Sequence, residues 1–283
     1  MRRTATALAL LAVIAAACAN EPGGSGDGGI DHPKGADEVV LRLSYEGGFV
    51  PVEYALTQFP SFTLFGDGRI VAPGPQIEIY PGPALPAVNQ RIVTEEGAQA
   101  IIRAALEAGL GKGDRDHSDF GSTLVADAPT AVFTFSANGR TSRVSVYALA
   151  ELPERPEGMP DEEFEARAAL NDLAQRLGAV EQWLPEGSVG PEAPFEADGY
   201  RIFVGTYRPT EELPQDPVAW PLDTPLPANG DDATGYGCRP VNGEEWAELA
   251  PLAREANQLT PWVSEGERYS VLFRPLLPDE SGC

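Results

Sequence analysis

FTLFGDGR at residues 62–69 and FTFSANGR at residues 133–140 share one pattern, an apolar strand that runs into a short polar turn. Glycine adopts positive φ at no steric cost, and Asn-Gly favours the tight turn that joins two antiparallel strands. Each stretch therefore predicts a β-hairpin. Ile70–Val71 is the expected return strand of the first hairpin, and Arg143–Tyr147 is that of the second.

A helix with an acidic first turn is predicted after each hairpin. The first begins after Thr94 and ends at Gly109, and the second begins at Pro160 and ends at Gly178. Their apolar residues recur at helical spacing and form one face of each helix. This order suggests two ββα units. Duplication of one unit and the shared chemistry of hairpin turns are alternative explanations of the match.

Val39–Tyr45 alternates apolar and polar residues and predicts a strand, and two further strands are predicted at Tyr200–Tyr207 and Arg268–Arg274. The sequence after Trp183 is rich in proline, glycine and acids, which indicates a boundary between two units. We therefore predict an α+β protein. Antiparallel hairpins and two helices form a larger β-rich domain at residues 38–183, and a small disulfide-stapled α+β unit follows at residues 184–283.

The segment PGPQIEIYPGPALP at residues 73–86 has proline on both sides of a short alternating core. Proline has no backbone donor, so within a sheet such a segment is confined to an edge. It is predicted to form an edge strand or an extended wrap. Its polyproline-like ends allow a peptide-like recognition surface, and an ordered surface coil is the alternative.

The first 18 residues, MRRTATALALLAVIAAAC, have the features of an export signal. Arg2 and Arg3 precede an apolar run from Ala7 to Ala17, which is well short of the roughly 20 residues that a membrane-spanning helix needs. We expect residues 1–17 to be removed. The Ala-Ala-Ala-Cys sequence that ends at Cys18 resembles the lipobox of bacterial lipoproteins, which implies that this cysteine is lipidated and becomes the mature N-terminus. The alternative is an ordinary secretory signal that leaves a free thiol.

Residues 18–37 are rich in glycine, proline, serine and aspartate and predict a flexible tether. His32 lies in this stretch, and we expect it to be solvated. Acyl chains contribute roughly 0.8 kcal/mol per buried CH₂, so more than one chain makes membrane attachment durable. The sequence thus predicts an exported protein that is anchored to the bacterial membrane by an N-terminal lipid and faces outside the cytoplasm.

The chain is strongly acidic, with a formal charge of −23 that becomes −25 when the signal and its two arginines are removed. This charge disfavours nucleic acid and anionic lipid as binding surfaces. If Cys18 carries lipid, Cys238 and Cys283 remain as an even pair. An oxidising exported environment favours a disulfide between them.

The chain contains no HExxH, CxxC, Walker A or complete GxSxG motif, and we assign no catalytic residue. The polar loop at residues 111–121 contains His117, which we interpret as a solvated histidine. The loop also contains three carboxylates that would suit Ca²⁺: Asp114, Asp116 and Asp119. An acidic turn without metal is the alternative, because the loop departs from the EF-hand pattern. Apart from Ca²⁺, no cofactor is predicted.

Four short stretches carry a resemblance to a known group of proteins: Cys18, LPEGSVG at residues 184–190, NQLTPW at residues 257–262 and FRPLLPDESGC at residues 273–283. With them the chain resembles exported lipoproteins of high-GC bacteria that have no established activity. The resemblance covers most of the mature chain. It implies the localisation and the C-terminal disulfide, and it implies nothing about mechanism.

These observations predict a membrane-tethered, non-catalytic binding or structural module of the cell envelope, with a protein or glycan partner. The tryptophans could serve a glycan as stacking platforms or could be part of the core. The alternative function is an envelope hydrolase with an unrecognised active site, for which Asp114 and Asp116 are the candidate carboxylates.

Overall fold

The computed structural model describes residues 29–118, 125–151, 154–227 and 234–283. It contains 22% helix and 31% strand, arranged as two sheets and four helices, so the predicted α+β class is confirmed. Cys18, the predicted lipidation site, and Asp119, one of the predicted Ca²⁺ ligands, lie outside the described residues.

Eight strands form the first sheet, in the order β5-β7-β6-β1-β2-β3-β4-β8. Their bounds are β1 Val39–Glu46, β2 Phe62–Phe65, β3 Arg69–Pro73, β4 Val88–Ile92, β5 Arg115–His117, β6 Thr130–Ala137, β7 Arg140–Tyr147 and β8 Ala193–Pro194. Both predicted hairpins are present, as β2–β3 and β6–β7. Neighbouring strands are antiparallel except for β5 and β7, which are parallel.

Strand β1 lies between the two hairpins and pairs with both. Leu43 is opposite Phe62 on one side and opposite Phe133 on the other. These two phenylalanines occupy equivalent positions in the two matching stretches. Their side chains and that of Leu43 are buried in one core because all three point to the same face of the sheet. The similar sequences therefore build similar halves around one central strand.

Four helices accompany the sheets: α1 Val52–Thr57, α2 Glu95–Glu107, α3 Asp161–Leu177 and α4 Gly243–Glu255. Helices α2 and α3 contribute apolar residues to the core on one face of the first sheet. The predicted cap of α2 is confirmed, since the Thr94 hydroxyl accepts a hydrogen bond from the Gly97 N–H at 3.3 Å. Gly109 ends the helix with φ +97°, and the Leu110 N–H returns to the Ala105 carbonyl. Helix α1 was not predicted, and none of its residues is buried.

Five strands form the second sheet, in the order β10-β12-β13-β9-β11. Their bounds are β9 Gly199–Thr206, β10 Val218–Ala219, β11 Gly237–Asn242, β12 Trp262–Ser264 and β13 Glu267–Pro275. The core between this sheet and α4 centres on Trp262, which is fully buried. Trp220 and Phe273 contact it edge-to-face with ring centroids 5.8 Å away. The division of the chain into two domains at residue 184 stays a prediction.

The C-terminal tail joins the two sheets. Leu277 is buried with β2, β3 and β4 residues on the face of the first sheet opposite the helices. Asp279 forms two hydrogen bonds with the Arg42 guanidinium of β1, at 2.6 and 2.9 Å. The predicted disulfide between Cys238 and Cys283 is confirmed and fixes the end of the tail to β11. The tail is thus packed on one sheet and covalently bonded to the other.

The last part of the predicted tether is packed against α2. The Ile30 N–H and carbonyl both bond to the Gln99 amide at 2.8 Å, and His32 contacts Glu95 at 3.1 Å. Burial would raise the pKa of Glu95, but hydrogen bonds from Lys34, Gln99 and His32 outweigh it and lower the pKa to about 2. His32 is 5% exposed, so the prediction that it is solvated is wrong. Besides its neighbours Pro33 and Lys34, it contacts Glu95, which lies 63 residues away and gave no local signal.

The segment at residues 76–80, which the alternation suggested as an edge strand, is not a strand. The structure places it in a surface loop between β3 and β4, and the strand follows at Val88–Ile92. The segment is a surface coil rather than an edge strand, and the peptide-like recognition surface that the sequence also allows stays a prediction. Its backbone is fixed by contacts outside the sheet.

Candidate binding surface

The first sheet has two ends that differ in their surroundings. At one end the Asn138 N–H bonds to the Asp31 carbonyl at 2.8 Å, where the described chain begins. We call this the tether end. Strands β1 and β3 both run away from it and finish at the opposite end, which we call the distal end. β1 has eight residues, so the two ends are about 26 Å apart.

A loop at the distal end carries three large exposed side chains. Ile77, Ile79 and Tyr80 are 65%, 61% and 68% exposed. The neck of the loop is closed by Gln76, whose amide nitrogen donates to the Gly74 carbonyl at 3.2 Å and to the Ala87 carbonyl at 3.0 Å. The apolar residues therefore project from a closed loop.

The far side of the same loop is fixed to the segment that follows α4. The Gly82 N–H donates to the Gln258 side chain at 3.3 Å, and the Gln258 N–H donates back to the Gly82 carbonyl at 2.9 Å. The Ala84 N–H donates to the Ala256 carbonyl at 3.1 Å. With both sides anchored, residues 77–80 lose little further conformational freedom when a partner covers them.

A second exposed apolar segment follows β1 at the distal end. Phe49 is 88% exposed and Tyr54 is 56% exposed, and Val50 between them is also exposed. The Phe49 N–H bonds to the Asp127 carbonyl at 3.3 Å, which fixes the backbone while the ring faces solvent.

Helix α1, which carries Tyr54, is fixed by a polar contact of the neighbouring Glu53. The Tyr236 hydroxyl donates to Glu53 at 2.9 Å. Burial, together with this bond and the charge of Glu53, raises the pKa of Tyr236 to about 12, so the phenol stays a donor at neutral pH. We define the distal apolar surface by the exposed side chains of the two segments: Phe49, Val50, Tyr54, Ile77, Ile79 and Tyr80.

Comparison with protein-family models, with curated proteins and with solved structures gave no match. Over the described ranges, the helices are all too short or too polar to cross a membrane. Part of the distal apolar surface could be anticipated from the sequence, because its apolar residues lie between the prolines of residues 73–86. Phe49 gave no such signal beyond its position after two glycines, because an apolar residue near a strand end is as often core as surface.

His117 is buried in the structure, so its interpretation as a solvated loop residue is wrong. It ends the short strand β5 and is 7% exposed. Its Nδ1 contacts both carboxylate oxygens of Glu163 at 2.8 and 3.0 Å. Arg167 donates to the same carboxylate at 2.9 Å, to the Tyr147 carbonyl at 2.9 Å and to the His117 carbonyl. These contacts fix α3 to the edge of the sheet.

The predicted carboxylates of the same region do not converge in the described part. The Asp114 side chain accepts a hydrogen bond from the Arg143 N–H at 2.8 Å, just before the residues at which β5 pairs with β7. Asp116 is exposed on β5 and points away from His117, since successive strand residues alternate faces. Among the residues described, no group of three or more metal-ligating side chains is found. The Ca²⁺ site therefore stays a prediction.

The tryptophans take part in packing. Trp262 and Trp220 are buried, and Trp246 stacks on Tyr200 with ring centroids 3.9 Å apart. The guanidinium of Arg176 lies 4.0 Å from the centre of the Trp183 ring. Each ring has a protein group on it, which explains the four tryptophans as packing residues.

A groove of about 440 Å³ lies at the tether end, beside the start of β1 and the β6–β7 turn. Its walls contain hydroxyl groups and charges of both signs. Arg42 lines it, but Asp279 already neutralises this guanidinium at 2.6 Å. The groove therefore shows less preference for one class of ligand than the distal apolar surface does.

Proposed function

We propose that this protein is a membrane-tethered, non-catalytic binding module of the cell envelope that binds a protein through its distal apolar surface. The exposure of Phe49, Ile77, Ile79 and Tyr80 carries this proposal. Single exposed apolar residues are ordinary on protein surfaces. Several large ones at one end of a sheet, held by fixed backbones, are typical of an interaction site.

With the predicted anchor in place, the tether end would be attached nearer the membrane than this surface. Lipid on Cys18 would hold the tether end near the bilayer, with the distal end about 26 Å beyond it. Residues 19–28 separate Cys18 from the described fold and span at most about 35 Å. The tether would therefore need most of its length to run back along the sheet before the distal end could reach lipid. A partner in the envelope space meets this surface without that constraint.

The hydrolase alternative depends on Asp114, Asp116 and His117. The Asp114 carboxylate caps a backbone N–H, and the His117 ring contacts the Glu163 carboxylate that also accepts from Arg167. These contacts explain Asp114 and His117 as structural residues, while Asp116 is exposed on β5 on the other face from His117. The binding-module proposal accounts for the surface as well as for the anchor.

The proposal is tested on the lipidated protein extracted from its own membrane in mild detergent. We expect it to elute from a sizing column with a partner, and we expect Ile77→Ser with Ile79→Ser and Tyr80→Ser to elute alone. Ile92→Ser is the matched control, because Ile92 is 55% exposed but lies at the tether end. Equal loss of the partner in both variants, or elution of the wild type alone, would refute the proposal.

The anchor has a separate test. Cys18→Ser should move the protein from the membrane fraction to the soluble fraction and remove the mass of the acyl chains. Persistent membrane attachment with unchanged mass would show that Cys18 is not lipidated. That result would not affect the proposed binding role of the distal apolar surface.

A further inference from the structure

We infer that the partner presents an apolar segment flanked by lysine or arginine. This inference rests on the proposed function, because it specifies what the distal apolar surface binds. It comes from the charges that surround the exposed apolar side chains.

Both segments of the surface are acidic and lack basic residues. Residues 46–58 contain Glu46 and Glu53, residues 74–87 contain Glu78, and neither range contains lysine or arginine. The three carboxylates are on exposed residues. Arg143 compensates Glu46 at 2.9 Å. Glu53 accepts from the neutral Tyr236 hydroxyl, and Arg208 is close enough for its charge to act on that phenol, so Glu78 is the carboxylate without a basic neighbour in either segment. A partner that covers Ile79 or Tyr54 must therefore come close to negative charge.

The whole chain adds a long-range field of the same sign. The mature chain carries a formal charge of −25, and the field of such a protein attracts cations and repels anions over roughly 8 to 10 Å at physiological salt. A basic partner would associate faster, while an acidic partner would be repelled before contact. Apolar residues at the centre of the partner segment would cover the side chains of Ile77 and Ile79.

Two other occupants fit these charges less well. A second copy of the chain would bring Glu53 and Glu78 towards acidic residues of its own type, and both molecules would repel each other as a whole. An anionic bilayer would also be repelled, and the distal end lies about 26 Å from the tether end. A basic protein segment is the occupant that satisfies the charge, the apolar side chains and the position together.

The test is selection from a random 16-residue peptide library displayed on phage, with the mature chain carrying Cys18→Ser as the target. Peptides that also bind the variant with Ile77→Ser, Ile79→Ser and Tyr80→Ser are discarded, because they bind elsewhere on the chain. We expect the retained peptides to combine large apolar residues with flanking lysine or arginine. Retained peptides without basic residues would overturn the inference while leaving the proposed function standing. A selection that retains no peptide would overturn both.

Titration of the best retained peptide then separates the apolar and charge contributions. Ile77→Ser with Ile79→Ser should raise the dissociation constant at least about tenfold. Burying even one such side chain contributes at least about that factor to the affinity. Glu53→Gln with Glu78→Gln should weaken binding of the basic peptide severalfold and leave its glutamine-substituted analogue unchanged. The Ile92→Ser control should bind like the wild type. Equal effects of the glutamine changes on both peptides would overturn the role of charge.

Vesicles and self-association complete the test. The same Cys18→Ser chain should not bind vesicles of three parts phosphatidylethanolamine to one part phosphatidylglycerol, and it should sediment as a monomer. Vesicle binding or dimerisation that is lost in the Ile77→Ser, Ile79→Ser and Tyr80→Ser variant would assign the surface to lipid or to a second copy, and the inference would be wrong.

Discussion

Glu280→Gln tests the contact by which the C-terminal tail joins the two sheets. Glu280 forms two hydrogen bonds with the Arg274 guanidinium, at 2.7 and 2.8 Å, and accepts a third from the Leu277 N–H at 3.0 Å. The side chains of Arg274 and Glu280 are 8% and 18% exposed. Removing the carboxylate would leave a buried guanidinium without its counterion.

The cost of breaking such a buried pair is about 3 to 5 kcal/mol. We expect about 3 kcal/mol at pH 7, because the Arg274 Nε keeps its bond to the Gln58 carbonyl and glutamine retains one acceptor oxygen. The free energy of unfolding is measured in urea on the mature chain. Glu255→Gln, at an exposed position of α4, is the control and should stay within about 0.5 kcal/mol of the wild type.

The pH dependence gives a second, independent readout. Burial acts to raise the pKa of Glu280, but its bonds to Arg274 and Leu277, and the charge of Arg42, outweigh it and keep the pKa below 4.5. The stabilisation is therefore fully present above pH 4.5 and is lost as the pH falls through the folded-state pKa. The difference between wild type and variant should shrink below pH 4.5. A difference that is absent at pH 7, or that does not change with pH, would refute this account of the tail.

Three further predictions concern the rest of the fold. Cys283→Ser should lower the free energy of unfolding by about 4 kcal/mol from loop-closure entropy. Free-thiol counting on the mature chain in which Cys18→Ser is the only change should find no thiol, and two reactive thiols would contradict the disulfide. Glu95→Gln should lower the protection factor of the Ile30 amide near pH 7, because Glu95 holds the Gln99 side chain to which that amide bonds. Since the pKa of Glu95 is lowered to about 2, the same protection factor, taken relative to the intrinsic exchange rate at each pH, should fall in the wild type as the pH drops from 4.5 towards 2; an unchanged protection factor would contradict the packing of this segment. Glu163→Gln should destabilise the chain by about 3 kcal/mol, because Arg167 is 3% exposed and would lose the charge of the carboxylate that also contacts His117, and an unchanged urea midpoint would contradict the role assigned to this cluster.

Local patterns predicted the elements whose signals lie within a few residues. The turn at Asn138-Gly139 has positive φ at both residues, as Asn-Gly favours, and it joins β6 to β7. Thr94 and Gly109 bound α2 because capping depends on the backbone of one turn. The disulfide followed from the count of cysteines and the expected compartment. In each case the deciding physics is local or is a matter of composition.

The missed features depend on residues that are distant in sequence. His117 is buried because Glu163 and Arg167 on α3 surround it, and its polar neighbours in the loop gave the opposite signal. β4 at Val88–Ile92 contains Asn89, Gln90 and Arg91, so its residues do not alternate as a strand with one buried face should. It is a strand because β3 pairs with it along its length.

The candidate surface could be predicted in part. The prolines of residues 73–86 indicated that the apolar residues between them lie outside the sheet interior, which the structure bears out. Their exposure depends on the anchoring of the loop to residues 256–258, and that contact joins segments more than 170 residues apart. The sequence therefore located the loop, and the tertiary contacts determine what it presents.

The most direct measurement of the central claim is photo-crosslinking in intact cells from a single benzoylphenylalanine. Placed at Ile79 or at Phe49, it should give one discrete protein adduct, because both side chains project from the distal apolar surface. Placed at Ile92, which is comparably exposed at the tether end, it should not give that adduct. The same adduct from all three positions, or lipid adducts in place of a protein at Ile79, would contradict a protein-binding distal surface.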